Sequence, residues 1–210
     1  MAKRKKGFSK QFIMQQVNQL DQSFWNSRWE NQQTGWDIGQ PSPAIIGYMA
    51  QYVNKDAAIL IPGCGNAHEA EWLIQNGFTN ITLIDIAPKP VAQLKEKYEK
   101  NSSVKIILGD FFQHQGRYDV IIEQTFFCAI EPKLRQKYVA QSASLLNKNG
   151  QIIGILFNIE FEREGPPFGG NTSEYQQLFE THFHIKKMEN CYNSILPRKN
   201  REVFINLIKK

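Results

Sequence analysis

The chain has 210 residues, of which 41% are hydrophobic and 21% are charged, a composition typical of a protein that folds around a sizeable core and not of a disordered chain. At about 150 residues per domain, this length predicts one generous domain. The longest apolar runs fall far short of the ~20 residues that span a bilayer, which excludes a transmembrane helix.

The net charge of +5 reflects the two ends of the chain, where six of the 25 basic residues lie; without them, 19 basic residues stand against 20 acidic ones. Nucleic-acid-binding proteins more often carry a basic folded face, so we expect no nucleic-acid partner. Residues 11–22 lack the apolar stretch of a signal peptide, so we expect a cytoplasmic protein. Three widely spaced cysteines fit neither a disulfide framework nor a metal site: Cys64, Cys128 and Cys191.

The first predicted element is a helical extension over residues 8–33. Its apolar side chains recur at a spacing near 3.6 residues, the period of an amphipathic helix. Glycines and prolines between residues 35 and 43 then end the helical pattern. A second short helix is expected over residues 44–53, ahead of the first strand.

From residue 57 the pattern alternates between short apolar runs and helical segments, which predicts a doubly wound parallel sheet with right-handed crossovers. A helix that ends at Asn149–Gly150 precedes the fifth strand. The last two strands are joined by a modest connection and should pair antiparallel. The expected strands are 57–61, 81–84, 104–108, 118–122, 151–157, 184–188 and 202–208, and the helices between them are centred on Trp72, 88–100, 132–146 and 173–180.

In an open α/β sheet, ligands bind beyond the carboxyl ends of the strands. Residues suited to a nucleoside follow four successive predicted strands. The glycines allow close approach of a ligand, and a carboxylate about 20 residues further on can accept both ribose hydroxyls. The residues in this row are Gly63, Gly65, Asp85, Asp110, Glu123 and Gln124.

The glycine pattern favours a cofactor without a pyrophosphate, because His68 stands where a dinucleotide-binding loop has its third glycine. S-adenosylmethionine carries ribose and adenine without phosphates and fits this pattern. Aromatic faces can stabilise its sulfonium by about 0.5–2 kcal/mol per contact. The alternative is that Gly63 and Gly65 only form a tight turn and that Asp85 only caps the next helix.

Several motifs resemble the thiopurine methyltransferase-like superfamily, and especially its thiol and halide methyltransferase branch. The resemblance covers nearly the whole chain from about residue 20. The motifs that carry it are Trp25-Asn26-Ser27-Arg28-Trp29, Gly35-Trp36-Asp37-Ile38-Gly39, Leu60-Ile61-Pro62-Gly63-Cys64-Gly65, Gly109-Asp110-Phe111-Phe112, Phe126-Phe127-Cys128-Ala129-Ile130-Glu131-Pro132 with Arg135, Gly165-Pro166-Pro167-Phe168 and Pro197-Arg198-Lys199.

The resemblance implies a seven-stranded, Rossmann-like S-adenosylmethionine-dependent methyltransferase sheet of the α/β class, with helices on both faces, an antiparallel C-terminal strand and an N-terminal helical cap. We expect a single domain over residues 1–210, with the cap in 1–43 and the core in 44–210. Arg135 and Arg198 are candidate contacts of an anionic acceptor. The implied cofactor contacts are Trp25, Trp29, Trp36, Gly63, Asp85, Asp110, Phe111 and Gln124.

The predicted activity is methyl transfer to a small soft nucleophile such as a thiol, bisulfide, thiocyanate or halide, by direct displacement. Such nucleophiles are already deprotonated or nearly so at neutral pH, so no covalent residue or metal is needed; alignment and removal of water supply the catalysis. The alternatives are a thiopurine-type or metalloid methyltransferase and a non-catalytic cofactor-binding module. We expect a monomer whose partner is a small molecule, without a membrane or nucleic-acid partner.

Overall fold

The computed structural model describes residues 20–210. Six α-helices and seven strands follow one another in this part of the chain. The helices are α1 (Gln22–Glu30), α2 (Pro43–Met49), α3 (His68–Gln75), α4 (Pro88–Lys97), α5 (Arg135–Leu145) and α6 (Thr172–Phe179). The strands are β1 (Ile59–Pro62), β2 (Ile81–Asp85), β3 (Val104–Leu108), β4 (Tyr118–Gln124), β5 (Leu146–Phe157), β6 (Phe183–Asn190) and β7 (Glu202–Lys209).

All seven strands form one sheet in the order β3-β2-β1-β4-β5-β7-β6. The first five strands pair in parallel, and β7 is antiparallel to both β5 and β6. The predicted seven-stranded α/β sheet is therefore confirmed. This topology brings the carboxyl ends of β1 to β4 to one edge, where the predicted site residues lie.

Alternation along the buried strands sends neighbouring side chains to opposite faces of the sheet. In β1, Leu60 belongs to one apolar core and Ile59 and Ile61 to the other. The helices α2, α3 and α4 cover the second face, whereas α5 and α6 cover the first. The sheet is thus buried on both sides, as the nearly continuous apolar strands predicted.

Three sequence predictions differ from the structure. The segment Asn149–Gly150 does not end a helix; it lies inside β5, where the pairing with β4 shifts between Tyr118 and Val120 and residues 147–150 bulge. The predicted helix from residue 132 begins as a 3₁₀ turn over Pro132–Leu134. The helix expected over 44–53 ends at Met49. Residues 8–19 of the predicted N-terminal helix lie outside the described residues.

Two side-chain hydrogen bonds fasten α1 over the carboxyl end of β2. Gln22 donates from Nε2 to the Ile86 carbonyl oxygen at 3.1 Å, and Asn26 Oδ1 accepts from the backbone N–H of Lys89 at 2.9 Å. The helix therefore sits beside the end of β2, as expected for a cap. Among residues 20–210, no helix is long and apolar enough to cross a membrane.

Candidate active site

The loop after β1 requires glycine at two positions. Gly63 and Gly65 have φ values of +56° and +50°, in the left-handed region that glycine tolerates. A Cβ atom at Gly63 would lie 2.5 Å from Cδ2 of Phe126, and one at Gly65 would lie 3.2 Å from Cζ2 of Trp29. The loop after β1 is thus packed between Phe126, which follows β4, and Trp29, which belongs to the cap.

Asp85 ends β2 and is buried, with 8% of its surface exposed. Its Oδ2 accepts from the Gly65 N–H at 3.0 Å, and its Oδ1 accepts from the Ala87 N–H at 2.8 Å. Burial raises the pKa of Asp85 although these backbone hydrogen bonds oppose the rise. A carboxylate has about four acceptor positions, so two remain for a ligand that carries two donors, such as a ribose diol.

Three tryptophans of the cap form one aromatic cluster. The ring of Trp36 lies 5.5 Å from that of Trp25 and 5.9 Å from that of Trp29, and both pairs meet edge to face. Because Trp29 also borders Gly65, the cluster lies against the loop after β1. Such pairs contribute about 0.5–1.5 kcal/mol each beyond the burial of area. The sequence prediction that these tryptophans gather at the strand ends is consistent with this placement.

Asp37, the residue after Trp36, binds the same loop. Its Oδ1 lies 2.8 Å from His68 Nε2 and accepts from the Gly39 N–H at 2.6 Å, and Asn66 donates to its Oδ2. Burial favours a higher pKa for Asp37, but these hydrogen bonds and the His68 charge outweigh it and lower the pKa below its usual value. Asp37 therefore carries a negative charge at the junction of cap and loop. Sequence reasoning missed this contact because 31 residues separate it from His68.

At the end of β3, Asp110 begins a 3₁₀ turn. Its Oδ1 accepts from the Phe112 N–H at 2.8 Å, and Gln113 donates to its Oδ2 at 3.3 Å. The Phe111 side chain points into the core, where it stacks on Tyr138 with ring centroids 5.5 Å apart. Of the two predicted contacts, Asp110 keeps acceptor capacity for a ligand, whereas the Phe111 ring mainly supports the wall behind the site.

The loop after β4 is organised by Glu123. This carboxyl group is fully buried, accepts from the Phe127 N–H at 2.9 Å and accepts from the Tyr138 hydroxyl at 2.7 Å. Burial raises its pKa to about 7. Thr125 has a φ of +64°, an uncommon value for a β-branched residue, and it turns the chain sharply here. These contacts fix residues 125–131, the loop after β4, whose Phe126 ring faces Gly63. We call this segment the aromatic loop.

Gln124, the last residue of β4, carries an acceptor without a partner. Its Oε1 is buried and makes no hydrogen bond within the described structure. A buried polar atom without a partner costs about 1–3 kcal/mol, so this oxygen favours a ligand that brings a donor. With the free acceptor positions of Asp85, it gives the strand ends the chemistry to hold a ligand rich in hydroxyl and ammonium groups.

Both predicted arginines are held by main-chain oxygens. Arg135 is buried, donates from Nη2 to the Gly169 carbonyl at 2.7 Å and lies 4.8 Å from the Phe127 ring centroid. Arg198 donates from Nη2 to the Trp36 carbonyl at 2.7 Å. The pKa of Cys128 rises to about 12 through burial and the nearby Glu123, although both arginines oppose the rise. The charges of both guanidinium groups therefore act on the same thiol, in the loop after β4.

An open groove of about 690 Å³ lies beside the 3₁₀ turn that follows β3. It is lined by residues that precede β4 and β5, including Arg117 and Leu145. Arg117 is bonded to the Ser144 carbonyl at 2.7 Å, and His114 contacts the Tyr118 hydroxyl at 2.7 Å. The side chains of Arg117 and His114 are thus already paired. Within residues 20–210, no group of three His, Cys, Asp or Glu side chains is arranged to hold a metal ion.

Solved structures share this fold. A didemethyltoxoflavin N1-methyltransferase from Burkholderia thailandensis with bound S-adenosylhomocysteine aligns with a TM-score of 0.72 and 13% identity, over 100% of this chain and 93% of that one. The magnesium protoporphyrin IX methyltransferase of Synechocystis aligns with a TM-score of 0.71 and 14% identity, over 90% of this chain and 98% of that one. At such identities the likeness concerns the fold.

Comparison of sequences identifies the family, whereas the solved structures show only the fold. A probable thiol methyltransferase of Arabidopsis thaliana is 28% identical over 184 residues, which cover 85% of this chain and 81% of that protein. A thiopurine S-methyltransferase of Vibrio parahaemolyticus is also 28% identical, over 178 residues, 76% of this chain and 82% of that protein. The family model of thiopurine S-methyltransferase matches residues 20–209. The chain therefore belongs to the thiopurine S-methyltransferase family and is an S-adenosylmethionine-dependent S-methyltransferase.

Proposed function

We propose that this enzyme methylates a small soft nucleophile: a thiol, bisulfide, thiocyanate or halide. The observation that carries the proposal is the aromatic loop after β4, where the charges of the buried Arg135 and the partly buried Arg198 both act on the neutral thiol of Cys128. The Glu123 carboxyl group in the same place is already bound by the chain itself. The positive charges of the two arginines attract an anion, and the aromatic side chains of this loop offer apolar contact to a polarizable atom.

The strand-end residues fit the cofactor on their own chemistry. Asp85 would accept the ribose hydroxyls, and Asp110 would lie towards the adenine. Gln124 Oε1 would accept from the α-ammonium group, which relieves its lack of a partner. Trp25, Trp29 and Trp36 would surround the sulfonium, and Gly63 would allow the close approach.

S-adenosylmethionine supplies a methyl group on a positively charged sulfur, which becomes neutral when that group leaves. The residues of the chain have three tasks around this chemistry: they align the acceptor, exclude water and hold an anion. Alignment alone can contribute up to about 7–11 kcal/mol. Exclusion of water strengthens the attraction between the arginines and an anionic acceptor.

The state of the titratable groups supports an acceptor that arrives already ionised. Cys128 is neutral at physiological pH because its pKa is about 12, and it donates from Sγ to the Thr125 carbonyl. Glu123 has both oxygens engaged by Phe127 and Tyr138. Cys128 keeps its own proton and Glu123 has no exposed surface, so neither group can take a proton from the acceptor. An alcohol or amine acceptor would need such a base, whereas bisulfide, thiocyanate and iodide do not.

The test is an acceptor panel with purified enzyme and S-adenosylmethionine, in which formation of S-adenosylhomocysteine is measured. We expect turnover with bisulfide, thiocyanate or iodide to exceed turnover with a bulky aromatic thiol or with selenite. Preference for the aromatic thiol would favour the thiopurine-type alternative, and preference for selenite the metalloid alternative. Absence of product with every acceptor, despite cofactor binding, would contradict the proposal.

Arg135 and Arg198 are proposed to act on the acceptor through their charge. Both guanidinium groups are anchored by carbonyl oxygens, Gly169 for Arg135 and Trp36 for Arg198, so they are held in place before the acceptor arrives. A monomeric state and a cytoplasmic location stay predictions from the sequence.

A further inference from the structure

Two adjacent residues of the cap are tied to two different loops. Trp36 is tied by its carbonyl oxygen to Arg198, in the connection between β6 and β7, at 2.7 Å. Asp37 is tied by its carboxylate to Asn66 and His68, in the loop after β1. The carbonyl that Arg198 binds belongs to the planar peptide group that joins Trp36 to Asp37, so a shift of the Asp37 backbone also moves that carbonyl.

The anchor on the cofactor side belongs to the loop that Asp85 organises. Asn66 and His68 lie within three residues of Gly65, whose N–H is bonded to Asp85. Asp37 also accepts from the Gly39 N–H, which fixes its own turn. A ligand that binds Asp85 and the glycines would therefore contact the loop that carries the partners of Asp37.

The anchor on the acceptor side is equally defined. Arg198 ends a 3₁₀ turn that begins at Leu196, and its guanidinium group lies 5.4 Å from the Phe157 ring centroid. Its Nη1 is 3.5 Å from an oxygen of Glu202, a longer and weaker contact than the 2.7 Å bond to Trp36. The bond to the cap is thus the strongest restraint on the orientation of this arginine.

We propose that Asp37 is a positioning residue that couples the two halves of the site, so that cofactor in the loop after β1 orders Arg198 for the acceptor. The proposal rests on the proposed function for the role of Arg198 towards the acceptor, although it requires no particular acceptor. Asp37 touches neither reactant; it acts through Trp36. The enzyme would accordingly bind its cofactor first and complete the acceptor site afterwards.

The direct test is hydrogen–deuterium exchange of the full chain with and without S-adenosylhomocysteine. The amides of Arg198 and Arg201 donate within the turn, to Ile195 and Arg198 respectively, and so report on its order. We expect the ligand to slow exchange over residues 194–202 by about fivefold or more, the lower end of ordinary coupling between two sites.

The variant Asp37→Asn keeps the shape of the side chain but points an N–H₂ group at Asn66 and His68, which bind the carboxylate of the wild type. In this variant we expect calorimetry still to detect ligand binding, while the slowing over residues 194–202 is lost. Asp56→Asn is the matched control, because Asp56 is exposed and bonds Thr79 away from the strand ends. This control should keep the full slowing of exchange.

A second pair of variants keeps the test decisive if Asp37→Asn does not fold. His68→Gln retains a donor for Asp37 and should preserve the ligand-induced slowing, whereas His68→Ala should reduce it. If His68 had a merely structural role, both variants would change in stability, and the ligand-induced slowing would not differ between them.

The outcomes separate the two proposals. Absence of ligand binding to the wild type would overturn the proposed function and the coupling with it. Binding that leaves exchange over residues 194–202 unchanged would overturn the coupling alone. Slowing that persists in Asp37→Asn, or that stays undiminished in His68→Ala, would also overturn it, because the signal would then reach Arg198 by another route.

Discussion

At the scale of single residues, Asp85 is the position where charge matters most. Its carboxylate holds the Gly65 and Ala87 amides and keeps acceptor positions for a ribose. Asp85→Asn removes the charge and points an N–H₂ group at one of these amides. We expect affinity for S-adenosylhomocysteine to fall by about 10–100-fold, the effect of losing one or two charge-assisted hydrogen bonds.

Isothermal titration calorimetry measures this change, with Asp56→Asn as a control that should bind like the wild type. An unchanged dissociation constant for Asp85→Asn would indicate that the ligand does not contact this carboxylate. The residue was predicted from the sequence because a strand end and a spacing of about 20 residues from the glycines suffice to locate it.

Glu123 gives the enzyme a stability that depends on pH. Burial raises its pKa from 4.5 to about 7, so between these values the folded chain keeps a proton that the unfolded chain has released. The contribution of this group is therefore fully present below pH 4.5 and is lost as the pH rises to 7. A shift of this size corresponds to about 3 kcal/mol.

The variant Glu123→Gln does not titrate and should not show this loss. Urea unfolding of wild type and variant at pH 4.5 and pH 8 measures the effect. We expect the difference in unfolding free energy to move by about 3 kcal/mol in favour of the variant between the two pH values. A difference that stays constant with pH would show that Glu123 keeps an ordinary pKa.

At the scale of elements, the sequence predicted every strand, but it misplaced the ends of several elements. Periodicity reports which residues are buried, and it found β3 with its bounds unchanged. The sequence interpretation failed at Asn149–Gly150, because these turn-forming residues suggested the end of a helix. The pairing of Tyr118 with Leu146 extends β5 across that turn as a bulge, and such long-range pairing leaves no local signal.

The pairing of β4 with β5 depends on a glycine beside Glu123. Gly154 lies opposite Glu123 in the sheet, and a Cβ atom there would stand 2.5 Å from the Glu123 Cβ. Gly154→Ala would therefore force the two central strands apart and should lower the unfolding free energy by about 3 kcal/mol. Denaturant unfolding monitored by circular dichroism measures this loss.

The matched variant is Gly47→Ala in α2, where the new Cβ would be 3.7 Å from Asn193 Nδ2, an ordinary contact. Since alanine favours helix, this variant should gain up to about 1 kcal/mol. Equal stability of the two alanine variants would mean that the strands β4 and β5 tolerate a methyl group between them.

At the scale of the whole molecule, the site is formed by parts far apart in sequence. The strand-end acids could be predicted, because a parallel sheet brings the carboxyl ends of its strands to one edge. The contacts of Asp37 with His68 and of Arg198 with Trp36 could not, since they depend on how the cap and the last loop pack on that edge. The motifs suggested roles for Trp36 and Arg198 but none for Asp37 or His68, and only the fold shows the partners of these residues.

Because the cap and the core meet at the cofactor site, ligand binding should stabilise the whole fold. At a concentration of 100 times the dissociation constant, S-adenosylhomocysteine should add about 2.7 kcal/mol to the unfolding free energy. For a chain of this size that raises Tm by about 5–10 °C.

Trp29→Ala removes the indole that borders Gly65 and should weaken binding at least about tenfold, so the gain at the same ligand concentration falls by about 1.4 kcal/mol. Trp72→Ala is the control, because Trp72 lies on α3 and packs against the core outside the cap cluster; it should lower Tm without ligand yet retain the ligand-induced increase. Thermal unfolding followed by circular dichroism distinguishes the two, and a full increase in Trp29→Ala would place the ligand away from the cap.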